Sequence, residues 1–275
     1  MLSFNYQIKT QEVNYGKHKK TFPIASVLFI LYFIANLVRI SLNAISNIIS
    51  HTESGISVFT GFLYEIPLIS TILFFIPFLL MGLLSLNTSK KPTIGYIITL
   101  TLAVFVPCIS ISSDIIDLIN IYSCLYTVSF LWIVPTFATH TSFLIALIAA
   151  LAYAIIAKAS KKPSKLFKIW FLFPIPFIIY FITQSIASSN SIAVAIETYM
   201  AYTPYSYTPG FGIFGTIYNE RAYEETITYL IFHISVAVLL VLGVLLLTTA
   251  FFCISRQFAK VNKSLAVEEA PEITE

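Results

Sequence analysis

Charged residues are scarce in this chain: they make up 11% of its 275 residues, whereas hydrophobic residues make up 57%. A soluble domain carries about 25% charged residues, which cover a surface that faces water. This composition therefore excludes an ordinary soluble domain. The formal net charge of +3 does not indicate nucleic-acid binding either, because the lysines occur in short clusters between apolar runs.

The sequence also lacks the motifs of common enzyme classes. It contains no GxSG-type nucleophile context, no HExxH motif and no glycine-rich phosphate loop. Glu224 and Glu225 precede His233, which places two acids and an imidazole near one external helix start and raises the alternative of an intramembrane hydrolase. Acids at a helix start are expected from the helix dipole alone, however. The sequence therefore favours a protein without catalytic activity.

Cysteine and glycine are few as well. The three cysteines form no metal-ligand spacing, and Cys108 and Cys124 are either free thiols or a bridge across a turn. The nine glycines form no GxxxG pair inside an apolar run, so the sequence does not predict the close helix crossings that small residues allow.

Long apolar runs dominate what is present. Five runs contain no Asp, Glu, Lys or Arg, namely 66–89, 92–113, 118–157, 169–196 and 226–255. A helix needs roughly 20 apolar residues to cross a bilayer, and helices satisfy their own backbone hydrogen bonds there. The sequence predicts an all-α, polytopic transmembrane helical bundle.

The lysine-rich stretch KASKKPSKLFK, Lys158–Lys168, decides how many helices cross. Candidate spans are 22–48, 64–87, 93–113, 118–138, 141–157, 169–187 and 227–253. Seven spans would place Lys158–Lys168 outside the cell, against the excess of lysine and arginine found in cytoplasmic loops. Six spans place this stretch and both termini in the cytoplasm. We therefore predict a multi-pass plasma-membrane protein with six spans and cytoplasmic N- and C-termini.

One of the seven segments must then fail to cross, and 112–134 is the weakest. Asp114, Asp117 and Asn120 recur every three residues in an amphipathic pattern suited to an interface. Pro135 is expected to interrupt a helix that continues. We expect an external interfacial or re-entrant element at 112–134 and a fourth span near 136–157.

The domain organisation follows from these spans. Residues 1–21 form a cytoplasmic N-terminal segment, 22–255 the transmembrane domain, and 256–275 an acidic cytoplasmic tail. The longest loop, about 188–226, is external and rich in aromatic residues. Because interfaces are enriched in Tyr and Phe, its residues Tyr205, Tyr207 and Phe211 are candidates for docking a partner.

Four polar residues are candidates for an intramembrane site: Arg39, Glu65, Gln184 and His233. A charge within the bilayer is costly and often functional. Arg39 and Glu65 are expected either to pair in the outer half of a helical hairpin or to reach the headgroups separately.

Two histidines, His140 and His233, raise the alternative of a haem or metal site. They share no helix at i, i+4 spacing, and no ligating carboxylate is expected beside them. The sequence therefore favours no cofactor.

Two functional interpretations remain open. The first is a non-catalytic membrane subunit that anchors or scaffolds a larger electron-transfer or export complex. The alternative is a small permease or transport subunit, such as the membrane part of an ATP-driven transporter. In either case the expected partners are the lipid bilayer and other membrane subunits, and nucleic acid is not among them.

Overall fold

The computed structural model describes residues 21–53, 71–87, 91–124, 130–160, 165–201 and 213–268, and the regular structure in these ranges is entirely helical. The helices, in chain order, are α1 (Thr21–Glu53), α2 (Ile76–Asn87), α3 (Ile94–Cys124), α4 (Phe130–Ala159), α5 (Ile175–Ala201) and α6 (Ile213–Glu268). Short 3-10 helices, Thr71–Phe75 and Lys165–Leu172, precede α2 and α5. The predicted all-α class is confirmed.

Five segments are long and apolar enough to cross a membrane: Ile24–Ser46, Ile94–Ile116, Val134–Ala159, Lys165–Glu197 and Leu230–Ser264. A sixth apolar segment, Thr71–Leu86, is shorter. Part of the predicted second span, 64–70, lies outside the described residues. The helix lengths and compositions indicate an integral membrane protein.

The six helices form a ring in chain order. Each helix packs against the next one along the chain, and α6 returns to pack against α1. Neighbouring helices run in opposite directions: Ser26, near the start of α1, donates a hydrogen bond to the carbonyl of Gly82, in the second half of α2. Across the ring, Tyr96 at the start of α3 contacts Phe258 near the end of α6, with ring centroids 6.1 Å apart.

One end of the ring is held together by lysines. Lys91 Nζ donates to the carbonyl oxygen of Ser160 at 2.8 Å, and Lys158 Nζ donates to the carbonyl oxygen of Pro92 at 3.5 Å. The two contacts join the connection before α3 to the end of α4, where cations also complement the helix dipole. We call this the lysine end, and the opposite end, which includes the ends of α1, α3 and α5, the far end.

Aromatic and polar contacts hold the helices together inside the ring. Phe251 of α6 stacks on Phe177 of α5 at 4.2 Å and meets Phe29 of α1 edge-on at 5.1 Å. Tyr153 Oη of α4 donates to the carbonyl oxygen of Ser255 in α6 at 3.0 Å. Lipid tails are as apolar as these side chains, so close packing and hydrogen bonds, rather than burial from water, stabilise such contacts.

The segment 112–134 does not form a helix of its own, and its residues 117–133 lie between the candidate spans Ile94–Ile116 and Val134–Ala159, so its interfacial position stays a prediction. Its first part continues α3 as far as Cys124, and its last part begins α4 at Phe130. Pro135 does not end the helix as predicted: it lies in the second turn of α4, and the helix continues through it to Ala159 although proline cannot donate a backbone hydrogen bond. The amphipathic pattern therefore belongs to the far end of a long helix.

Cys108 is a free, half-buried thiol, as is Cys253. Cys108 and Cys124 lie on the same helix, 16 residues apart, and therefore about 24 Å apart along its axis. A disulfide needs Cα atoms within about 7 Å. A bridge between Cys108 and Cys124 is thus ruled out, and the free thiol predicted at Cys108 is confirmed.

The expectation of no close helix crossing is wrong at one glycine. A Cβ atom built on Gly82 of α2 would lie 3.1 Å from the carbonyl oxygen of Ser26 and 3.3 Å from Phe29 Cβ, both in α1. A single glycine, without a GxxxG pair, thus lets two backbones approach closely.

The helices also extend into the predicted loop and tail. α5 continues to Ala201 and α6 begins at Ile213, so helix occupies both sides of the 188–226 segment. At the other end α6 continues through Lys260 to Glu268, within the predicted tail. With 56 residues, α6 is about 84 Å long, far longer than a bilayer requires.

Candidate functional site

An aromatic layer fills the interior of the ring between the lysine end and the far end. Phe143 of α4 stacks on Tyr180 of α5, with centroids 4.4 Å apart and planes 17° apart, and lies 6.1 Å from Phe78 of α2. Tyr32 of α1 meets Phe78 edge-on at 5.0 Å and Phe75 at 6.1 Å. These five side chains, from α1, α2, α4, α5 and the 3-10 helix that precedes α2, are called the aromatic layer below.

Arg39 lies against this layer. Tyr32, Asn36 and Arg39 occupy positions i, i+4 and i+7 of α1, so they share one face of the helix. The guanidinium carbon of Arg39 is 5.9 Å from the centroid of the Phe75 ring, within cation–π range. The Nε atom is buried and makes no hydrogen bond.

The Phe75 ring that Arg39 approaches also meets Tyr32 edge-on, with centroids 6.1 Å apart. Arg39 and Tyr32 of α1 therefore contact the same member of the aromatic layer.

The predicted Arg39–Glu65 pair remains a prediction, since Glu65 lies outside the described residues. Within the part of the chain that the structure describes, no carboxylate pairs with Arg39.

A second polar contact joins α3 to α4 near the far end. His140 Nδ1 and Asp114 Oδ2 are 2.6 Å apart, and Asp114 is buried. The expectation that no carboxylate lies beside the histidines is therefore wrong for His140. The sequence contained a usable signal: Asp114 precedes the connection 125–129 by 11 residues and His140 follows it by 11, and residues equidistant from the turn meet in an antiparallel hairpin.

Further polar side chains continue from this pair into α5. Ser142 and Thr183 share a hydrogen bond at 2.9 Å between α4 and α5. Gln184 Nε2 donates to Ser188 Oγ at 3.3 Å, a contact within α5. Thr141 Oγ1 is buried and has no hydrogen-bond partner. The far half of the ring is thus more polar than the aromatic layer.

The remaining predicted site residues are only partly placed by the structure. His233 of α6 lies edge-on to Phe232, with ring centroids 5.6 Å apart. Tyr205, Tyr207 and Phe211 lie outside the described residues, so their role in docking is a prediction. Among the described residues, no three His, Cys, Asp or Glu side chains gather where they could hold a metal ion.

The described site residues therefore fall into two groups, Arg39 against the aromatic layer and Asp114–His140 near the far end. The first group combines a cation with aromatic rings and phenols, and the second combines a carboxylate with an imidazole.

Comparisons of this chain with protein-family models, with curated proteins and with solved structures found no match.

Proposed function

We propose that this protein is a non-catalytic membrane subunit that anchors or scaffolds a partner in a larger complex. The aromatic layer is the observation that carries this proposal. Its side chains come from both sides of the ring, and Phe143 and Tyr180 are in direct stacking contact at 4.4 Å. A conduit for ions or polar solutes needs a continuous path lined with polar groups. Stacked rings across the interior favour a supporting role instead.

The proposed orientation places the lysine end in the cytoplasm of a plasma-membrane protein. Lys91 and Lys158 lie at this end, as do Lys165 and Lys168 of the 3-10 helix before α5. This arrangement fits the excess of lysine in cytoplasmic loops. The loop that contains Tyr205, Tyr207 and Phe211 would then be external and available to a partner.

Purification in mild detergent tests the proposal. We expect the protein from its native membrane to co-elute with another membrane protein at a fixed ratio. Replacing Tyr205, Tyr207 and Phe211 together by serine should leave insertion unchanged and remove that partner. The control is Phe171→Ser, which alters a half-exposed ring near the lysine end and should leave the complex intact. A triple variant that inserts normally and keeps its partner contradicts the docking proposal.

A small permease or transport subunit is the second candidate. The buried Nε of Arg39, which has no hydrogen bond, favours it, because intramembrane cations frequently mark ion or substrate pathways. The discriminating experiment is flux in proteoliposomes that contain the purified protein. Flux of an anion that Arg39→Gln abolishes would support transport, whereas no flux in the presence of a stable partner complex would support the subunit.

A further inference from the structure

Four exposed cations lie at the lysine end, where the 3-10 helix before α5 runs beside α6. Lys165 and Lys168 are three residues apart on the 3-10 helix, so their side chains lie in one row. Arg256 and Lys260 are one turn apart on the same face of α6. All four side chains are exposed, and they are called the cationic face below.

An aromatic contact joins the two segments that carry these cations. Trp170 of the 3-10 helix meets Phe252 of α6 edge-on, with ring centroids 5.0 Å apart. Phe252 precedes Arg256 by four residues and therefore shares its face of α6. The two pairs of cations consequently lie on one side of the ring, next to each other.

The cationic face has no described counter-ion. Within the described ranges, the ion pair that forms joins Asp114 to His140 near the far end, and no acid pairs with a member of the cationic face. Cations that lie close together repel one another, and an anion placed among them removes that repulsion.

We propose that the cationic face binds the headgroup of an anionic phospholipid, whose acyl chains lie against the neighbouring apolar side chains of the 3-10 helix and α6. This proposal goes beyond the role of a membrane subunit and does not depend on it.

The cations have the chemistry that a phosphodiester headgroup requires. The guanidinium of Arg256 is a planar fork of N–H donors that matches two phosphate oxygens, and the three lysines add point charges around it. Basic groups beside transmembrane helices attract anionic headgroups at the membrane surface.

The apolar side chains beside the cations indicate a lipid rather than a dissolved anion. Ile169 and Leu172 follow Lys168 along the 3-10 helix, and both are exposed, as is Phe252 of α6. Since α6 runs toward the lysine end, Phe252 lies about 6 Å deeper along the helix axis than Arg256. The charged groups thus lie outside the apolar ones, in the same order as the phosphate and the acyl chains of a phospholipid.

Trp170 provides a reporter within the site. The chain has two tryptophans, so Trp132→Phe leaves Trp170 alone. The full chain with this change is placed in nanodiscs that contain either phosphatidylglycerol or phosphatidylcholine with brominated acyl chains, which quench tryptophan fluorescence on contact. We expect quenching by brominated phosphatidylglycerol to saturate with an apparent affinity at least about tenfold higher than that of brominated phosphatidylcholine.

Charge variants connect this preference to the cationic face. Lys168→Gln combined with Arg256→Gln removes one exposed cation from each segment and should lower the preference by about fivefold for each charge removed. The control is Lys91→Gln combined with Lys158→Gln, which removes two charges from the same end. These two ammonium groups already donate to backbone carbonyls, so the control should keep the preference. Circular dichroism checks that each variant retains its helices.

Two results would overturn the site itself. The first is equal quenching of Trp170 by the two brominated lipids. The second is an equal loss of preference in the charge variant and in the control, which would indicate a general attraction of the lysine end for anionic membranes.

Two further arms test other occupants. Inorganic phosphate at constant ionic strength should leave the preference for phosphatidylglycerol unchanged, whereas displacement of the lipid by phosphate would show a site for a dissolved oxyanion and contradict the proposal. The second arm replaces Glu268, Glu269 and Glu272 of the acidic C-terminal segment by glutamine. If the preference appears only in this variant, that segment of the chain covers the cationic face and the proposal is wrong; a preference that is present without these changes supports it.

Discussion

Replacing Gly82 by alanine tests the closest helix crossing in the ring. The new methyl group would lie 3.0 Å from Ile30 Cγ1, 3.1 Å from the carbonyl oxygen of Ser26 and 3.3 Å from Phe29 Cβ. Carbon atoms in favourable contact are about 3.5–4.0 Å apart, so α1 and α2 must separate by a few tenths of an ångström. The Ser26 contact involves a backbone atom, which cannot move without its helix. The hydrogen bond from the Ser26 hydroxyl to the Gly82 carbonyl would be strained by the same movement.

The magnitude follows from two opposing effects. Overpacking costs about 1–3 kcal/mol. Alanine in place of glycine also favours a helix by about 1 kcal/mol. Gly243→Ala of α6 is the matched control: its methyl group would lie 3.5 Å from Tyr32 Cδ2, an ordinary contact, while the gain in helix propensity is the same. The propensity effect cancels in the comparison, so Gly82→Ala should be less stable than Gly243→Ala by about 1–3 kcal/mol.

The assay is unfolding of both variants and of the wild type in the same detergent, followed by circular dichroism. We expect Gly243→Ala to be at least as stable as the wild type and Gly82→Ala to be the least stable of the three. If Gly82→Ala equals or exceeds Gly243→Ala in stability, α1 and α2 do not cross as closely as described, and the reasoning is refuted.

Two further predictions concern polar contacts between helices. Asp114→Asn and His140→Gln should each lower the free energy of unfolding by about 1–3 kcal/mol, and the double variant should lose less than the sum; additive losses would show that the two side chains do not interact. Tyr153→Phe should cost about 1–2 kcal/mol, because the carbonyl oxygen of Ser255 loses its side-chain donor; an unchanged unfolding midpoint would contradict the contact.

Much of the fold could be predicted from the sequence because the bilayer imposes a simple rule. Long apolar runs become helices, and even α1, whose apolar run is interrupted by Arg39, begins at Thr21, one residue from the predicted start at 22. The direction of each helix follows from the short connections. The lysine stretch Lys158–Lys168 was assigned to a connection, whereas Lys158 lies in the last turn of α4 and Lys165 and Lys168 lie in the 3-10 helix before α5. Its contacts with the connection before α3 could not be foreseen.

The errors arose where local pattern and tertiary contacts disagree. The polar pattern Asp114, Asp117 and Asn120 was interpreted as facing the membrane interface. The carboxylate of Asp114 instead pairs with His140 of α4. An amphipathic pattern specifies a polar face and does not specify what covers that face. Pro135 was interpreted as a point where the helix is interrupted, but α4 continues through it. A proline inside a helix can kink the helix rather than break it, so its presence alone does not fix a helix end.

The candidate site was predictable only as a set of residue types. Arg39 was identified because a charge in an apolar run is costly. Its position against Phe75 depends on how α1 and the segment before α2 are arranged in the ring, and no local pattern encodes this arrangement. The interior aromatic layer has the same origin, because its members are dispersed along the chain.

Six spans with the lysine end in the cytoplasm are the central claim of this account, and cysteine accessibility at Ser160 tests it most directly. The Ser160 backbone accepts the hydrogen bond from Lys91, so replacing the side chain by cysteine leaves that contact possible. In a background without the native cysteines, Ser160→Cys should resist a membrane-impermeant thiol reagent in intact cells and react after permeabilisation. Ser206→Cys should react in intact cells. Labelling of Ser160→Cys from outside the intact cell would contradict the six-span topology and favour seven spans.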